Sequence, residues 1–562
     1  MHRHFPEPEY KKIPAVNIYE FRELTPLDTL EFPELPKNRK CTNMTMLIIF
    51  IIFVAGLIGL IFSISLNKNL HRWWYGYDNC ENLCGFKNVR IAFRQADCQP
   101  EDFRDFPVVL YGNLSTKCVK LADCKPSEFN LFFGRCFPKH SLDEETERVQ
   151  KYFEIIGNTW KARFAIMIMV FAALGLILLI YVFFRINAKC TFMALIILMT
   201  SLSAIITIGF WSTYFLRQGR PYLIPSIVSL IHLIFFLILF HFLRKHFSLM
   251  VRMYKETVKI IFVAPITLFQ PLITILFIFI LDAIIIYLLL LLYAVEGKIT
   301  YSLELKVLNT LFIIVVMYWL FAFANGCQCL IVSGVIQAYF FARSKSTLCC
   351  PYFFSLWVAL HYHLGTIAAG SLVITILRIL KPLTEGLEKE QHSGFCGVMG
   401  TCCEWLREMS EYFTRKAYIM TALHGRGIYT SGRRAVRLLW LFLCDTIIVD
   451  QFACVFMHAL SFFIMLCGLV LGLVIIMPLK IKYIYVPVVL GVCLAGTVTF
   501  FYVSVMNVAI ETLFLCFCED RFLNTGLRDN PYFMTAEFFT LMIDALEMAY
   551  GGELRYRTYS DE

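Results

Sequence analysis

The side chains of this chain that could do chemistry lie inside long apolar runs. Asp282 stands in the sequence ILDAI, near the middle of one such run. An acid at that depth is costly in a bilayer, and intramembrane ionisable residues commonly mark substrate or ion routes. Asp282 is therefore a candidate for cation binding and for proton coupling. The alternative is a structural acid that is hydrogen-bonded to a neighbouring helix.

A second group of polar and aromatic side chains lies on the run 308–342. Offsets of three, four and seven residues return to the same side of a helix, so part of the group shares one face. Such a stripe could line a pathway, or it could supply the interhelical hydrogen bonds that amide side chains form in membranes. The candidates are Tyr318, Trp319, Asn325, Gln328 and Gln337, with Tyr339 at the end of the run.

Three further residues complete the set of candidates. His363, with His361 beside it, belongs to the run 352–380, and histidine titrates near neutrality, so His363 is a candidate for proton coupling. Packing is the alternative role for this residue. Trp211 and Tyr214 are pathway candidates, although their place near the end of a run also suits an interfacial aromatic belt.

No pattern of catalytic or cofactor-binding residues accompanies these candidates. The chain has no G-x-x-x-x-G-K-[ST] phosphate loop, and no Ser-His-Asp arrangement can be placed on one site. The cysteines at 349–350, 396 and 402–403 lack the histidine spacing of zinc sites. We therefore expect no enzyme activity, no cofactor and no metal.

The elements that must position these residues are membrane helices. Of 562 residues, 58% are hydrophobic and 17% are charged, against roughly 45–50% and about 25% in soluble domains. This composition requires the lipid bilayer as a partner and excludes soluble enzymes and nucleic-acid binders. Nine runs are long enough to span a bilayer: 44–66, 162–185, 190–213, 222–243, 261–293, 308–342, 352–380, 447–478 and 484–515. The run 261–293 contains Pro265 and Pro271, which predict one long, kinked helix.

The segment 381–437 is the difficult part of the topology. It holds nine Lys and Arg against six Glu, which favours the cytoplasm, yet it follows a run that should end outside. Either 417–440 is a weak tenth crossing, or it is a re-entrant or interfacial amphipathic segment. The sequence predicts an all-α polytopic membrane protein with about ten transmembrane helices, nine strong and one weak.

Charge and cysteines predict the orientation. Lys37, Arg39 and Lys40 precede the first run and place the N-terminus in the cytoplasm. Ten crossings then put both termini inside. The predicted organisation is a cytoplasmic tail 1–43, a transmembrane helix 44–66, an extracellular cysteine-rich loop 67–160, a transport bundle 161–516 that includes the basic segment 381–437, and a cytoplasmic tail 517–562.

The loop 67–160 carries an even number of cysteines and a glycosylation motif. An even number in an extracellular loop predicts disulfides, without fixing which cysteines pair. Asn113 begins the sequence Asn-Leu-Ser, a glycosylation acceptor. The disulfide candidates are Cys80, Cys84, Cys98, Cys118, Cys124 and Cys136.

Several short motifs, in order along the chain, resemble those of the choline transporter-like family of solute carriers. They are RKCTN at 39–43, YGYDNCENLCG at 75–85, YFFAR at 339–343, HLGT at 363–366 with GS at 370–371 and an arginine at 378, AYIM at 417–420, ETLFLCFCED at 511–520 and PYFM at 531–534. Cys80 stands where the family usually has glycine, Tyr339 where it has tryptophan, and Lys416 where it has asparagine. The first extracellular loop also looks shorter than is typical, so the resemblance is to a divergent member.

The resemblance implies a carrier for a small cationic substrate. Choline is the expected cargo and ethanolamine an additional one, moved by alternating access through facilitated diffusion or proton-coupled exchange. The expected location is the plasma membrane, with a mitochondrial or other internal membrane as the alternative. A cation channel, or a membrane receptor or scaffold whose extracellular loop binds a ligand, is the alternative function.

Overall fold

The structure is a computed structural model. It describes residues 39–67, 76–80, 82–88, 100–112, 115–125, 127–132, 134–139, 144–217, 220–293, 303–342, 348, 350–391, 394–441, 443–524, 531–535, 538–540 and 542–543.

Twelve α-helices are described along the chain. They are α1 (Met44–Asn67), α2 (Glu144–Lys161), α3 (Arg163–Arg217), α4 (Arg220–Val263), α5 (Gln270–Tyr293), α6 (Leu303–Phe341), α7 (Pro351–Tyr362), α8 (Leu364–Gln391), α9 (Gly394–His424), α10 (Ile428–Leu441), α11 (Leu443–Ile476) and α12 (Tyr485–Leu523).

Long apolar helices confirm a multi-pass membrane protein. By length and composition, six of the described helices could cross a bilayer, and α7 with α8 forms a seventh, bent candidate. One of the six, α3, has 55 residues, which is roughly 80 Å of helix against a hydrocarbon core of about 30 Å. Asn187 inside α3 has non-helical angles (φ −149°, ψ 90°), so α3 is two segments that match the predicted runs 162–185 and 190–213. The count of ten crossings stays a prediction.

Two predicted runs are broken in the structure. The run 261–293 is not one kinked helix, because α4 continues to Val263, a 3₁₀ turn covers Pro265–Phe269 and α5 begins at Gln270. A proline cannot donate a backbone hydrogen bond, which favours this interruption. The run 352–380 is likewise two helices, α7 and α8, which meet at His363 with a bend of 75°.

The doubtful segment 417–440 is also not one helix. It comprises the end of α9 and most of α10, which are separated at Gly425, a glycine with φ 68°. The two helices α8 and α9 lie antiparallel. Arg378 of α8 donates to Glu411 of α9 at 2.9 Å, and the Tyr418 hydroxyl of α9 donates to the Ile367 carbonyl of α8 at 3.0 Å.

The cysteine-rich loop adds strands to a chain predicted as all-α. Four short strands form one sheet in the order β2-β1-β4-β3, with β1 and β4 parallel and the other two pairs antiparallel. Strands of four or five residues are a marginal fold by themselves, and the cross-links stabilise them. Their bounds are β1 (Val108–Gly112), β2 (Ser115–Val119), β3 (Phe129–Phe132) and β4 (Arg135–Pro138).

The disulfide prediction is confirmed for two pairs. Cys84 bonds Cys118, and Cys124 bonds Cys136. Cys80 is also disulfide-bonded. Cys98 and Asn113 lie outside the described residues.

Contacts define two ends of the bundle, which we name the loop end and the entry end. At the loop end, Lys482 in the α11–α12 connection forms an ion pair of 3.1 Å with Glu154 of α2, and this hydrogen bond raises the pKa of the Lys482 ammonium. At the entry end, residues 39–43 contact the α7–α8 break and the α9–α10 turn. Because α12 begins at the loop end, it brings its C-terminal part towards the entry end.

The main core surrounds the C-terminal half of α12. All residues from Val505 to Asp520 are buried, on every side of the helix. A helix buried all round is the centre of a bundle rather than its surface. Aromatic packing joins its neighbours, as where Phe192 of α3 stacks on Phe456 of α11 with ring centres 4.2 Å apart.

Candidate functional site

Charged side chains of three helices meet inside the bundle. The charge centre, as we name it, consists of Tyr412, Arg415 and Lys416 of α9, Asp450 of α11 and Glu511 of α12. Residues three and four apart lie on the same face of a helix, which is why α9 presents its three members together. Arg415 is partly exposed, while Lys416, Asp450 and Glu511 are buried.

The ammonium of Lys416 lies between two carboxylates and an aromatic ring. Its Nζ is 2.6 Å from Asp450 Oδ2, 3.1 Å from Glu511 Oε2 and 5.1 Å from the centre of the Tyr412 ring. The Tyr412 hydroxyl donates to Asp450 Oδ2 at 2.8 Å, and Arg415 Nη1 is 2.9 Å from Glu511 Oε1.

These groups make an electrically neutral assembly. Two cations face two anions, which is the condition under which buried charges are tolerated. Carboxylates and an aromatic face are also what holds an organic ammonium. The charge centre therefore has the chemistry of a cation site, and a side chain of the protein itself supplies the cation.

A second ion cluster lies towards the entry end. Glu519 of α12 accepts hydrogen bonds from His424 Nε2 at 3.0 Å and from Arg434 of α10. The next residue, Asp520, accepts the backbone N–H groups of Phe533 and Met534, each at 2.9 Å. These contacts hold the turn after α9 and the PYFM segment against the end of α12.

Residues 39–43 form a junction with two helix breaks, which we name the entry junction. Thr42 Oγ1 is 3.0 Å from His363 Nδ1 and 2.6 Å from Thr366 Oγ1. Asn43 Oδ1 accepts from Thr366 Oγ1 at 3.2 Å and from the Ile428 N–H at 3.3 Å. Arg39 donates to the carbonyl oxygen of Ala422, two residues after AYIM, at 2.8 Å. The motif RKCTN thus packs on HLGT and on residues that follow AYIM.

A glycine permits the closest approach in this junction. A Cβ atom on Gly365 would lie 2.3 Å from the Thr42 carbonyl oxygen and 2.4 Å from that of Asn43. Any side chain there would displace residues 42 and 43, so the glycine in HLGT is required by contact.

The structure places His363 in the entry junction. Its side chain is fully buried at the α7–α8 break, with Nε2 3.3 Å from Arg39 Nη1 and Nδ1 next to Thr42. Both ring nitrogens therefore have neighbours that fix the imidazole, and this is the geometry of the packing alternative. Proton coupling by His363 stays a prediction.

The candidates on α6 point to different neighbours. Trp319 donates to the Ala368 carbonyl at 3.2 Å and to Ser371 Oγ at 3.1 Å, on α8. Gln328, nine residues later and so on the opposite side, lies 3.5 Å from the Phe501 carbonyl of α12.

The remaining amides of α6 also make backbone contacts. Gln337 donates to the Ile419 carbonyl of α9 at 2.8 Å, and Asn325 donates to its own helix at Phe321. Trp319, Gln328 and Gln337 thus join α6 to three different helices. These contacts match the role of interhelical hydrogen bonds, while pathway lining stays a prediction. Tyr318 and Tyr339 are partly buried on the same helix.

The last three candidates lie away from the charge centre. Asp282 is on the exposed side of α5, beside Phe279 and Ile286, which are also exposed. Trp211 and Tyr214 are partly buried near the loop end of α3, with ring centres 5.9 Å apart. Among the described residues, no three His, Cys, Asp or Glu side chains form a group that could hold a metal.

Sequence reasoning missed the convergence on Lys416. No sequence pattern selects Asp450. Glu511 lies near the inner end of its run, just before Glu519 and Asp520, where acids are ordinarily solvated or capping, and Lys416 stands out only as a departure from a motif. The signal that could have found them is two acids and one lysine within otherwise apolar stretches, because buried charges must pair.

Comparison with known proteins gives one family and a set of relatives. Residues 227–521, which contain the whole charge centre, match the family model described as plasma-membrane choline transporter. Choline transporter-like protein 2 of Pongo abelii is 28% identical over 252 residues, covering 40% of this chain and 34% of that protein. The same protein of Bos taurus is 29% identical over 265 residues (42% and 36%), and choline transporter-like protein 1 of Caenorhabditis briggsae is 26% identical over 248 residues (40% and 31%). The chain therefore spans about a third of the length of the curated relatives it matches.

Proposed function

Because this chain belongs to the family of plasma-membrane choline transporters, we propose that it carries choline across the plasma membrane. The observation that supports this proposal is the charge centre, where an ammonium group lies between Asp450, Glu511 and the ring of Tyr412. The relatives named choline transporter-like protein support the cargo.

The chemistry of choline suits this arrangement. A quaternary ammonium has no N–H donor, so it is held by aromatic faces and by negative charge rather than by hydrogen bonds. Ethanolamine carries a primary ammonium and can donate to the same carboxylates, so we propose it as an additional cargo.

Charge balance suggests how the carrier works. The centre is neutral while Lys416 occupies it, and a second buried cation would leave one positive charge uncompensated. Choline therefore competes with the Lys416 ammonium for Asp450 and Glu511 during each transport cycle. The carboxylates stay paired throughout, first with Lys416 and then with choline, and the cargo moves by facilitated diffusion.

The bent and broken helices provide surfaces for alternating access. The charge centre is built on α9, which forms a hairpin with α8, and α8 meets α7 at the 75° bend. The entry junction holds both this bend and the α9–α10 turn through residues 39–43. We propose that the entry junction opens when the hairpin moves relative to α11 and α12.

We further propose ten crossings with both termini in the cytoplasm. The antiparallel packing of α8 and α9 supports α9 as a crossing in place of the segment 417–440, and α9 returns the chain to the entry end. The crossings are α1, both segments of α3, α4, α5, α6, α8, α9, α11 and α12.

The test is uptake of radiolabelled choline into proteoliposomes that contain the purified protein. We expect saturable uptake that unlabelled choline and ethanolamine inhibit. Asp450→Asn should lower uptake at least tenfold, because the cation site loses one of its two charges. Glu408→Gln is the matched control, since its exposed carboxylate lies on the same helix as Lys416 and outside the charge centre.

The outcomes separate the alternatives. An absence of flux with folded protein would refute the carrier, and a flux that does not saturate would indicate a channel. Equal losses in Asp450→Asn and Glu408→Gln would remove the charge centre from the transport route. A proton gradient imposed on the same vesicles tests proton coupling. We expect this gradient to have no effect on the initial rate of choline uptake.

A further inference from the structure

A basic cavity lies at the edge of the bundle, far along the chain from the charge centre. The structure gives it a volume of about 320 Å³, and its lining comes from three segments of the chain. Those segments are residues 185–189 at the break inside α3, residues 251–252 and 255–256 of α4, and Phe538 with Met542 near the C-terminus. A cavity of this size is in the range that small-molecule ligands and headgroups fill.

The break inside α3 brings positive charge to the cavity. Arg185 precedes the non-helical Asn187, and Lys189 follows it, so both side chains reach the same corner. Asn187 Oδ1 accepts the N–H of Cys190 at 3.1 Å, which caps the second helical segment of α3. The first residues of this segment also line the cavity, and the N-terminus of a helix favours an anion.

The opposite wall adds two more basic side chains. Arg252 and Lys255 of α4 line the cavity, and the acid in this wall is Glu256. Glu256 is paired at 3.2 Å with Lys259, one turn along the helix. Among the lining residues that the structure describes, three exposed basic side chains, Arg185, Lys189 and Lys255, therefore face one acid that is already paired. This balance favours a ligand with more than one negative charge.

The surroundings distinguish a lipid from a soluble anion. Ile186, which also lines the cavity, is 74% exposed, and Phe183, one helical turn before Ile186, is 47% exposed. An apolar helix surface therefore leads from the cavity along a segment that spans the membrane. The glycerol and acyl chains of a lipid can pack there while its headgroup occupies the basic cavity.

The floor of the cavity belongs to the C-terminal segment. Met542 is fully buried, and the ring of Phe538 packs edge-on against Phe340 and Phe517, at 6.2 and 6.1 Å between centres. Asp520 holds the preceding PYFM segment through two backbone hydrogen bonds. A ligand in the cavity would thus brace the C-terminal segment against α3 and α4.

We propose that this cavity binds the headgroup of a multiply phosphorylated lipid of the cytoplasmic leaflet, with Arg185, Lys189 and Lys255 as its ligands. Basic pockets between helices on the cytoplasmic side of a membrane are suited to such headgroups. The proposal concerns a lipid site and does not depend on choline being the cargo.

Binding can be measured with the full-length protein in detergent. The probe is a short-chain phosphatidylinositol bisphosphate, titrated by microscale thermophoresis, with inositol trisphosphate, inorganic phosphate and short-chain phosphatidylcholine as comparison ligands. Each basic side chain near an anionic headgroup contributes roughly a factor of five in affinity. The double variant Arg185→Gln/Lys189→Gln should therefore bind the bisphosphate about thirtyfold more weakly than the native protein.

The matched control is Arg433→Gln/Arg437→Gln on α10. It removes the same charge from exposed positions outside the cavity, and should keep native affinity. If the first double variant does not fold, Lys255→Glu changes an exposed side chain of the cavity and should still weaken binding. Binding should also slow proteolysis after Phe538, because this segment forms the floor.

Each result decides the proposal. Selective loss in the cavity variants, with slower C-terminal proteolysis, supports it. Equal losses in cavity and control variants would show non-specific attraction and overturn it, as would no binding to the native protein. Equal affinity for inositol trisphosphate would overturn the lipid source and assign the cavity to a soluble polyphosphate.

Discussion

A buried lysine between two acids is a costly arrangement unless all three charges are present. Lys416 is fully buried, and its ion pairs with Asp450 and Glu511 join α9 to α11 and α12. The resemblance to the choline transporter-like family places asparagine at this position, so the lysine adds a positive charge inside the bundle. We infer that Lys416 keeps the two acids neutralised when no cargo is bound.

This inference predicts that removing the charge of Lys416 destabilises the protein, and that removing one acid in addition restores stability. Lys416→Met removes the charge and keeps most of the volume, so it should destabilise the protein by about 3–5 kcal/mol, because two acids then face Arg415 alone. Adding Asp450→Asn should restore most of that loss, since one cation and one anion then remain. The measurement is the melting temperature of purified protein in detergent for the two single variants and the double variant.

Additive losses would contradict the pairing. Glu408→Gln serves as the control and is combined with both Lys416 and Lys416→Met. Because the side chain of Glu408 is exposed, this substitution should change the melting temperature little in either case.

Asp282 poses a separate question at the residue scale. The sequence makes it a candidate for coupling, whereas the structure places it on the exposed side of α5, away from the charge centre. We expect Asp282→Asn to leave choline uptake per copy of protein unchanged, because the residue touches no part of the charge centre. Uptake divided by surface abundance is the measurement. A selective loss of transport at normal abundance would instead make Asp282 a coupling residue.

At the scale of elements, hydropathy alone located most of the bundle. The predicted run 44–66 is α1 to within one residue, and Asn187 divides α3 close to the predicted gap between 185 and 190. These segments were predictable because a span needs about twenty apolar residues, which leaves an unambiguous signal. The strands of the first loop were not predictable, because segments of four or five residues that are held by disulfides carry little hydrophobic periodicity.

The charge centre could not be predicted for a different reason. Lys416, Asp450 and Glu511 lie on three helices, and no local pattern states which helices pack together. Hydropathy also hides α9, because its charges lower its apolar content although two of them, Arg415 and Lys416, are paired inside the bundle. The motifs helped only in part: they predicted that HLGT and AYIM matter, and the structure shows that Tyr418 of AYIM donates to Ile367, the residue that follows HLGT.

The entry junction yields a prediction about these elements. Gly365→Ala would place a methyl group 2.3 Å from the Thr42 carbonyl oxygen, so residues 42 and 43 must move away from α8. Overpacking of this kind costs roughly 1–3 kcal/mol. We expect a lower melting temperature and slower choline uptake, because the α7–α8 bend loses its contact with the start of α1.

The control for this variant is Gly59→Ala in α1, where an added methyl group meets no atom within 4 Å. It should raise the melting temperature slightly, because alanine favours a helix more than glycine does. Native uptake by Gly365→Ala at native stability would show that the entry junction takes no part in the transport cycle.

At the scale of the whole molecule, contacts divide the chain between two ends. The disulfide-bonded loop and the α11–α12 connection share one end through Glu154 and Lys482. Residues 39–43, the α7–α8 break and the α9–α10 turn share the other. If the chain crosses the membrane an even number of times before α10, residue 429 lies on the same side as the N-terminus. The parity of the topology thus depends on whether α9 crosses.

Tyr429 offers a direct test of that parity, because its side chain at the start of α10 is 79% exposed. With ten crossings, Tyr429→Cys should react with a membrane-impermeant maleimide only after cells are permeabilised, whereas Leu121→Cys in the extracellular loop, 58% exposed, should react in intact cells. Peptide mass mapping identifies the labelled position among the native cysteines. Labelling of Tyr429→Cys in intact cells would mean that α9 does not cross. Lys482→Cys would then be shielded from the outside, although its native side chain pairs with Glu154 of α2, which the proposed topology places outside. Because this ion pair conflicts with a topology in which α9 does not cross, we expect ten crossings. The charge centre is then built on a helix that crosses the membrane.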